Sequence, residues 1–166
     1  MSDVEVRESA IEGLGLFATG PFRAGQRIRQ INVVREITPD SPLREELGER
    51  ADHCDYPDGK VVLFGLPDRH INHRCDPNAY VLYERERSFL VARRDIAPGQ
   101  EITCDYNINN PGGTAWPCHC GAARCKGTVV ADFFLLPLDM QREYRPLLAD
   151  WFVRAHRDRL RALDEG

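Results

Sequence analysis

No stretch of this chain approaches the roughly 20 consecutive apolar residues that a membrane-spanning helix requires. A spanning helix is therefore not expected. The first residues, Met1-Ser2-Asp3-Val4-Glu5-Val6-Arg7, hold no apolar signal region, which points to an intracellular, reducing compartment, cytoplasm or nucleus. Positive charge is not in excess either. With 22 Lys and Arg against 26 Asp and Glu, the net charge is −4, whereas a general nucleic-acid binder presents a basic stripe to phosphates. Direct binding of nucleic acid is not expected, and a basic, lysine-containing protein or peptide is a compatible partner. Repeats and low-complexity tracts are also missing. What remains is the profile of a globular protein, 42% hydrophobic and 29% charged over 166 residues, enough for one core and too little for two ordinary domains.

Short strands between turns dominate the pattern, so the expected class is mainly β with some α. Val4 and Val6 alternate with polar residues as in a strand. They lead into Gly13-Leu14-Gly15-Leu16, where a Gly-x-Gly pair lets the backbone turn tightly and approach a ligand. The third glycine and the helix of a dinucleotide-binding fingerprint do not follow. Residues 27–37 read as one or two strands, and Pro39, Pro42 and Gly48 mark an irregular or briefly helical insertion. Val61 to Phe64 is an apolar run of strand length, and residues 79–83 and 88–92 are the arms of a hairpin with a charged tip. Pro98-Gly99 suits a type II turn before a strand from Ile102 to Tyr106. After a loop over residues 109–114, the apolar run from Val129 to Leu136 reads as a C-terminal strand. Leu148, Trp151, Phe152 and Ala155 then have amphipathic helix spacing, with Pro146 dividing or opening the helix.

The densest chemistry lies in Arg69-His70-Ile71-Asn72-His73-Arg74-Cys75-Asp76-Pro77-Asn78. Asn72 and His73 offer directional hydrogen bonds, to a polar ligand or to the backbone of a core, and Cys75 offers a soft thiolate. Downstream, Cys118-x-Cys120-x4-Cys125 supplies three sulfur ligands in eight residues, and Gly121 and Gly127 let the chain wrap an ion. Tetrahedral zinc wants a fourth ligand, which Cys75 offers from a distance and His119 from alongside. Free thiols or a redox pair are the other reading, although the spacing is not Cys-x-x-Cys.

In order, Gly13-x-Gly15, the stretch from Arg69 to Asn78, Ala97-Pro98-Gly99-Gln100-Glu101-Ile102-Thr103-x-Asp105-Tyr106-Asn107 and the cysteine cluster resemble the SET-domain family of protein lysine methyltransferases. The resemblance includes that family's cysteine-rich post-SET segment and runs over roughly residues 4 to 130. It implies a SET-type fold of small sheets with a pseudoknot, followed by a C-terminal helical tail. The domains would be a SET domain over 1–117, a post-SET zinc segment over 118–130, and a C-terminal strand and helical extension over 131–166. By the same resemblance, Gly13, Leu14, Gly15, Leu16, Asn72, His73 and Tyr106 would contact S-adenosylmethionine, and Tyr106 would be catalytic. Cys75, Cys118, Cys120 and Cys125 would hold zinc, and the substrate would be a lysine of a protein. Three features depart from the family pattern: Glu12 stands where a basic residue is usual, Arg74 where a small serine is usual, and only Tyr56 is near the strand position where the family places a tyrosine lining the lysine channel. The alternative is a zinc-stabilised protein-binding module of the same fold that has lost catalysis.

Overall fold

The computed structural model describes residues 3–110, 112–113 and 115–165; Met1, Ser2, Gly166, and Pro111 and Thr114 of the expected loop lie outside the described residues. The chain forms two compact units, one of residues Met1–His73 and Pro77–Cys104, the other of Arg74–Asp76 and Asp105–Gly166. Three residues in the middle of the central stretch thus belong with the C-terminal third of the chain.

Among the described residues, the first unit holds ten short strands: β1 (Val4–Glu8), β2 (Leu14–Ala18), β3 (Arg27–Gln30), β4 (Val33–Ile37), β5 (Cys54–Asp55), β6 (Val61–Phe64), β7 (Asn72–His73), β8 (Ala79–Glu84), β9 (Arg87–Ala92) and β10 (Glu101–Cys104). They make three small sheets, ordered β1-β2-β10-β7, β3-β9-β8 and β4-β6-β5. Leu16 of β2, Leu90 of β9 and Ile102 of β10 are fully buried and, with Ile96 of the loop between β9 and β10, belong to one core. β7 runs parallel to β10, with Asn72 opposite Thr103 and His73 opposite Cys104. Asn78 locks the end of the central stretch onto β10, its Oδ1 accepting from Thr103 N at 2.9 Å and its Nδ2 donating to Glu101 O at 2.8 Å.

The local signals give the expected turns. Arg85 takes φ 56° at the hairpin tip, and Gly99 takes φ 81° beside a Gln100 N to Ala97 O bond of 3.1 Å, as a type II turn requires. The insertion after β4 carries a 3-10 turn over Glu45–Leu47. It is pinned by Arg35, which donates to Ser41 O at 2.8 Å, to Pro42 O at 2.9 Å and to the Glu49 carboxylate.

The second unit contains β11 (Trp116–Pro117) and β12 (Thr128–Val129), an antiparallel ribbon that closes the cysteine loop between them. Helices α1 (Leu138–Tyr144), α2 (Asp150–Ala155) and α3 (Arg157–Glu165) follow. Pro146 sits in a 3-10 turn between α1 and α2, where its missing N–H costs little. Phe133 and Phe152 are fully buried, and Phe134 stacks on Phe152 with centroids 5.7 Å apart.

Two expectations are corrected. The strand expected to reach Tyr106 stops at Cys104, because Asp105 Oδ1 accepts from Asn107 N at 3.0 Å and from Asn107 Nδ2 at 2.5 Å and closes a turn around Tyr106. The C-terminal strand placed at the head of residues 131–166 is a 3-10 turn over Phe133–Leu135. Ala131 is left-handed at φ 48°, and the Asp132 carboxylate accepts from Phe134 N at 2.8 Å; both break an extended run.

Candidate functional site

The turn between β1 and β2 is built from the inside. Gly13 takes φ 48°, and Ser9 N donates to Gly13 O at 2.9 Å. From β7, Asn72 Nδ2 donates to Glu12 O and Leu14 O at 3.1 Å each and to Glu101 Oε1 at 2.8 Å. An amide has two hydrogens for these three acceptors, so one is shared. The Asn72 amino group is therefore engaged by the protein itself and fixes the turn. Glu101 in turn accepts from Ser9 Oγ at 2.8 and 2.9 Å, and Ser9 Oγ accepts from Ile11 N at 2.9 Å.

Gly15 has a different reason from Gly13. A Cβ added there would overlap the Glu101 carboxylate, whereas one added at Gly13 would meet nothing within 4 Å. The inner side of the turn is thus filled by Glu101 and Asn72, and its Gly13 side is open. Leu16 is fully buried, backbone included, between β1 and β10, and Leu14 is 44% exposed, so of the two only Leu14 offers surface to a ligand. His73 is buried in β7. Among the expected cofactor residues, the structure brings together Gly13, Leu14, Gly15 and Asn72, with His73 next in the same strand. Tyr106 belongs to the second unit, where its ring lies 6.3 Å from that of Trp116.

In that second unit the Sγ atoms of Cys75, Cys118, Cys120 and Cys125 all lie within 4.8 Å of one another. His119, the rival fourth ligand, is not in this group. Four sulfurs about 2.3 Å from a tetrahedral zinc are about 3.8 Å apart, and Cys75 Sγ lies 3.8 Å from Cys118 Sγ. The donors fit zinc. Negative charge on the sulfurs is met by Lys126 Nζ, 3.7 Å from Cys75 Sγ, and by N–H groups 3.4 Å away, Cys75 N on Cys120 Sγ and Gly127 N on Cys125 Sγ. Burial pushes the Cys75 and Cys118 thiols up. Burial is also the largest influence on Cys120, but the backbone N–H groups of Cys75 and Ala122 and hydrogen bonds with the Cys118 and Cys125 thiols together outweigh it and bring that thiol down to about 7. One thiolate therefore forms readily, and further ones need a cation among them.

The cluster has a second layer of support. Cys75 O accepts from Arg124 Nε at 3.0 Å and from Tyr144 Oη at 3.3 Å, and Arg124 also donates to Tyr144 Oη at 2.9 Å and Glu143 Oε2 at 2.8 Å. Arg74, the unusual residue beside Cys75, donates to Cys120 O at 2.9 Å. Cys54 and Cys104 lie outside the group.

The model of the SET domain family matches residues 13–107, more than half of the chain. This chain belongs to that family. Among curated relatives, a Candida albicans histone-lysine N-methyltransferase, H3 lysine-36 specific, is 44% identical over 142 residues, which cover 75% of this chain and 16% of the relative. The human histone-lysine N-methyltransferase 2B is 32% identical over 137 residues, covering 74% of this chain and 5% of the relative. The chain therefore spans a small part of the length of the relatives it matches. A crystal structure of a Plasmodium falciparum protein described as a histone methyltransferase has the same fold, with a TM-score of 0.53 at 20% identity over 64% of this chain and 94% of the other. Among the described residues, no helix is long and apolar enough to cross a membrane.

Four residues of this SET domain chain carry the geometry and escaped the sequence: Ser9, Glu101, Arg124 and Tyr144. Ser9 and Glu101 are 92 positions apart, and no local pattern links them. Arg124 had a signal, a long cation placed between cysteines, but its acceptor, the Cys75 carbonyl, is 49 positions away.

Proposed function

We propose that this chain acts as an S-adenosylmethionine-dependent protein lysine methyltransferase. Its substrate would be a lysine of a histone or another basic protein tail, met in an intracellular, reducing compartment. The observation that carries this reading is the span of the family match, which begins at Gly13 and ends at Asn107 and so contains Gly13 to Leu16, Asn72, His73 and Tyr106. The names of the relatives make histone H3 the first substrate to try.

S-adenosylmethionine supplies a methyl group activated on a sulfonium. The turn over Gly13 to Leu16, held from behind by Asn72, offers its open Gly13 side to that molecule, and His73 follows Asn72 in β7. The protein must also present a neutral amine, since a free lysine with pKa about 10.4 is almost wholly protonated at neutral pH. Burial of the ammonium lowers that value. Tyr106, whose backbone is set by the Asp105 to Asn107 turn, orients the amine with its hydroxyl and stabilises partial charge on the moving methyl group. Alignment of this kind is worth several powers of ten in rate. Zinc on Cys75, Cys118, Cys120 and Cys125 would fix the segment between β11 and β12.

Tyr106→Phe tests the reading. It keeps the ring beside Trp116 and removes the hydroxyl, an interaction that matters most in the transition state. Single-turnover methyl transfer to histone H3 should slow by about a hundredfold or more, with cofactor affinity and melting temperature nearly unchanged. An unchanged rate would remove Tyr106 from catalysis. A wild-type protein with no saturable S-adenosylmethionine binding would instead be the zinc-stabilised binding module.

A further inference from the structure

We infer that Glu101 is a positioning residue that shapes the turn over Ser9 to Gly15 for its ligand, an inference that rests on the cofactor reading above. Its carboxylate is the hub of a directed chain of hydrogen bonds. Ile11 N donates to Ser9 Oγ, Ser9 Oγ donates to both Glu101 oxygens, and Asn72 Nδ2 donates to Glu101 Oε1 and to the carbonyls of Glu12 and Leu14. With no hydrogen of its own, the carboxylate must accept, which sets the direction of the Ser9 hydroxyl and of the Asn72 amide. Those two groups fix the backbone on either side of Gly13.

The packing points the same way. Glu101 lies on β10 opposite Phe17 of β2, and its carboxylate occupies the space that a side chain at Gly15 would take. The φ of Gly15 is not left-handed, so the residue answers to space and not to backbone freedom. Gly13, by contrast, keeps its outer side open. The turn therefore has one face filled by protein acceptors and donors and one face left for a ligand. A turn already held in its binding shape loses less freedom when the ligand arrives.

The test compares wild type with Glu101→Ala, Glu101→Gln and Ser9→Ala in the full chain, with S-adenosylmethionine as the titrant. Glu101→Ala should weaken binding by roughly tenfold, as expected for loss of charge-assisted hydrogen bonds. Glu101→Gln, which keeps one acceptor, should fall between, and Ser9→Ala should follow in the same direction. The rate at saturating cofactor should stay near that of the wild type, while the melting temperature falls modestly, since Ser9 and Asn72 lose a part-buried acceptor. Measured without ligand, hydrogen exchange at the Ile11 amide should speed up in Glu101→Ala. Gly15→Ala should also weaken binding, and Gly15→Ala combined with Glu101→Ala should recover part of that loss, the remaining crowding coming from Phe17.

Affinity within twofold of wild type and unchanged Ile11 exchange in Glu101→Ala would overturn the inference. So would a parallel fall in affinity, saturated rate and melting temperature, which marks a purely structural residue. Wild-type protein that does not bind S-adenosylmethionine would overturn the cofactor reading and the role of Glu101 toward that ligand. Faster ligand-free exchange in the variant would then still show that Glu101 shapes the turn.

Discussion

Replacing Cys125 by serine should empty the metal centre, and the size of the effect can be worked from the position of the ligands. Cys75 is separated from the other three by a long stretch of chain, so an ion bound to all four acts as a cross-link. The loop it closes, from Cys75 to Cys118, is about 44 residues long. In a chain-entropy treatment a cross-link over about 44 residues stabilises the folded state by about 4 kcal/mol. For a chain of this length each kcal/mol moves the melting temperature by about 2 to 4 °C. Loss of the ion should therefore lower it by roughly 10 °C. Elemental analysis should find one zinc per wild-type chain and none bound stably in Cys125→Ser, while Cys54→Ser and Cys104→Ser keep theirs. A strong chelator should lower the wild-type melt toward that of Cys125→Ser and leave the variant where it is. Full zinc retention in Cys125→Ser with loss in His119→Ala would refute the four-cysteine centre. A zinc-free wild type whose melt ignores chelator would refute the centre altogether.

Tyr144→Phe keeps a fully buried ring but removes the hydroxyl that reaches the Cys75 carbonyl and accepts from Arg124. Loss of a buried hydrogen-bonding partner should cost about 1 to 3 kcal/mol in a denaturant titration and speed zinc transfer to a competing chelator, with stoichiometry unchanged; wild-type values in both would show the bond to be inconsequential. His156 packs against the rings of Phe134 and Phe152, with centroids 5.3 and 4.5 Å away. Burial lowers its pKa from the ordinary 6.5, so folding favours the neutral ring: its contribution is present above about 6.5 and is lost as pH falls through the lower folded value. Melting temperature should drop between pH 7.5 and 5.5, and the drop should shrink in His156→Gln; an identical pH dependence in that variant would exclude His156 as its source.

Where neighbours along the chain decide the structure, the sequence was legible. Val61 to Phe64 is a strand as read, and the arms of the hairpin differ from expectation by a residue at the tip. The cysteine spacing pointed to the cluster because turns at Gly121 and Gly127, both with positive φ, can bring its sulfurs together. Misreadings fell where a side chain captures nearby backbone. Asp105 ends β10 early and Asp132 starts a 3-10 turn, and hydrophobic periodicity carries no information about either. The amphipathic pattern of the tail was right in kind, yet His156 leaves helical geometry at φ −119° and ψ 28° and separates α2 from α3. For Asn72 the sequence leaves two readings open, a ligand or the backbone, and its amino group donates to the carbonyls of Glu12 and Leu14 and to the Glu101 carboxylate. Those carbonyls are 60 and 58 positions away, and only the pairing of β7 with β10 and of β10 with β2 brings them near.

The two bonds on the Cys75 carbonyl bear on how far the metal centre can be transplanted. A graft of residues 116–129 would carry three sulfurs and the ribbon that encloses them. It would leave behind Cys75, and with it the acceptor for which Arg124 is placed. A graft extended backward to Cys75 but ending at residue 137 would still lack Tyr144 and Glu143, the groups that hold Arg124 in place. The smallest portable form of this centre is therefore discontinuous: a tripeptide around Cys75, the ribbon with its cysteine loop, and the chain onward through α1. An engineer seeking a self-contained zinc module in the cysteine motif alone would be copying the ligands without the residues that keep them in register.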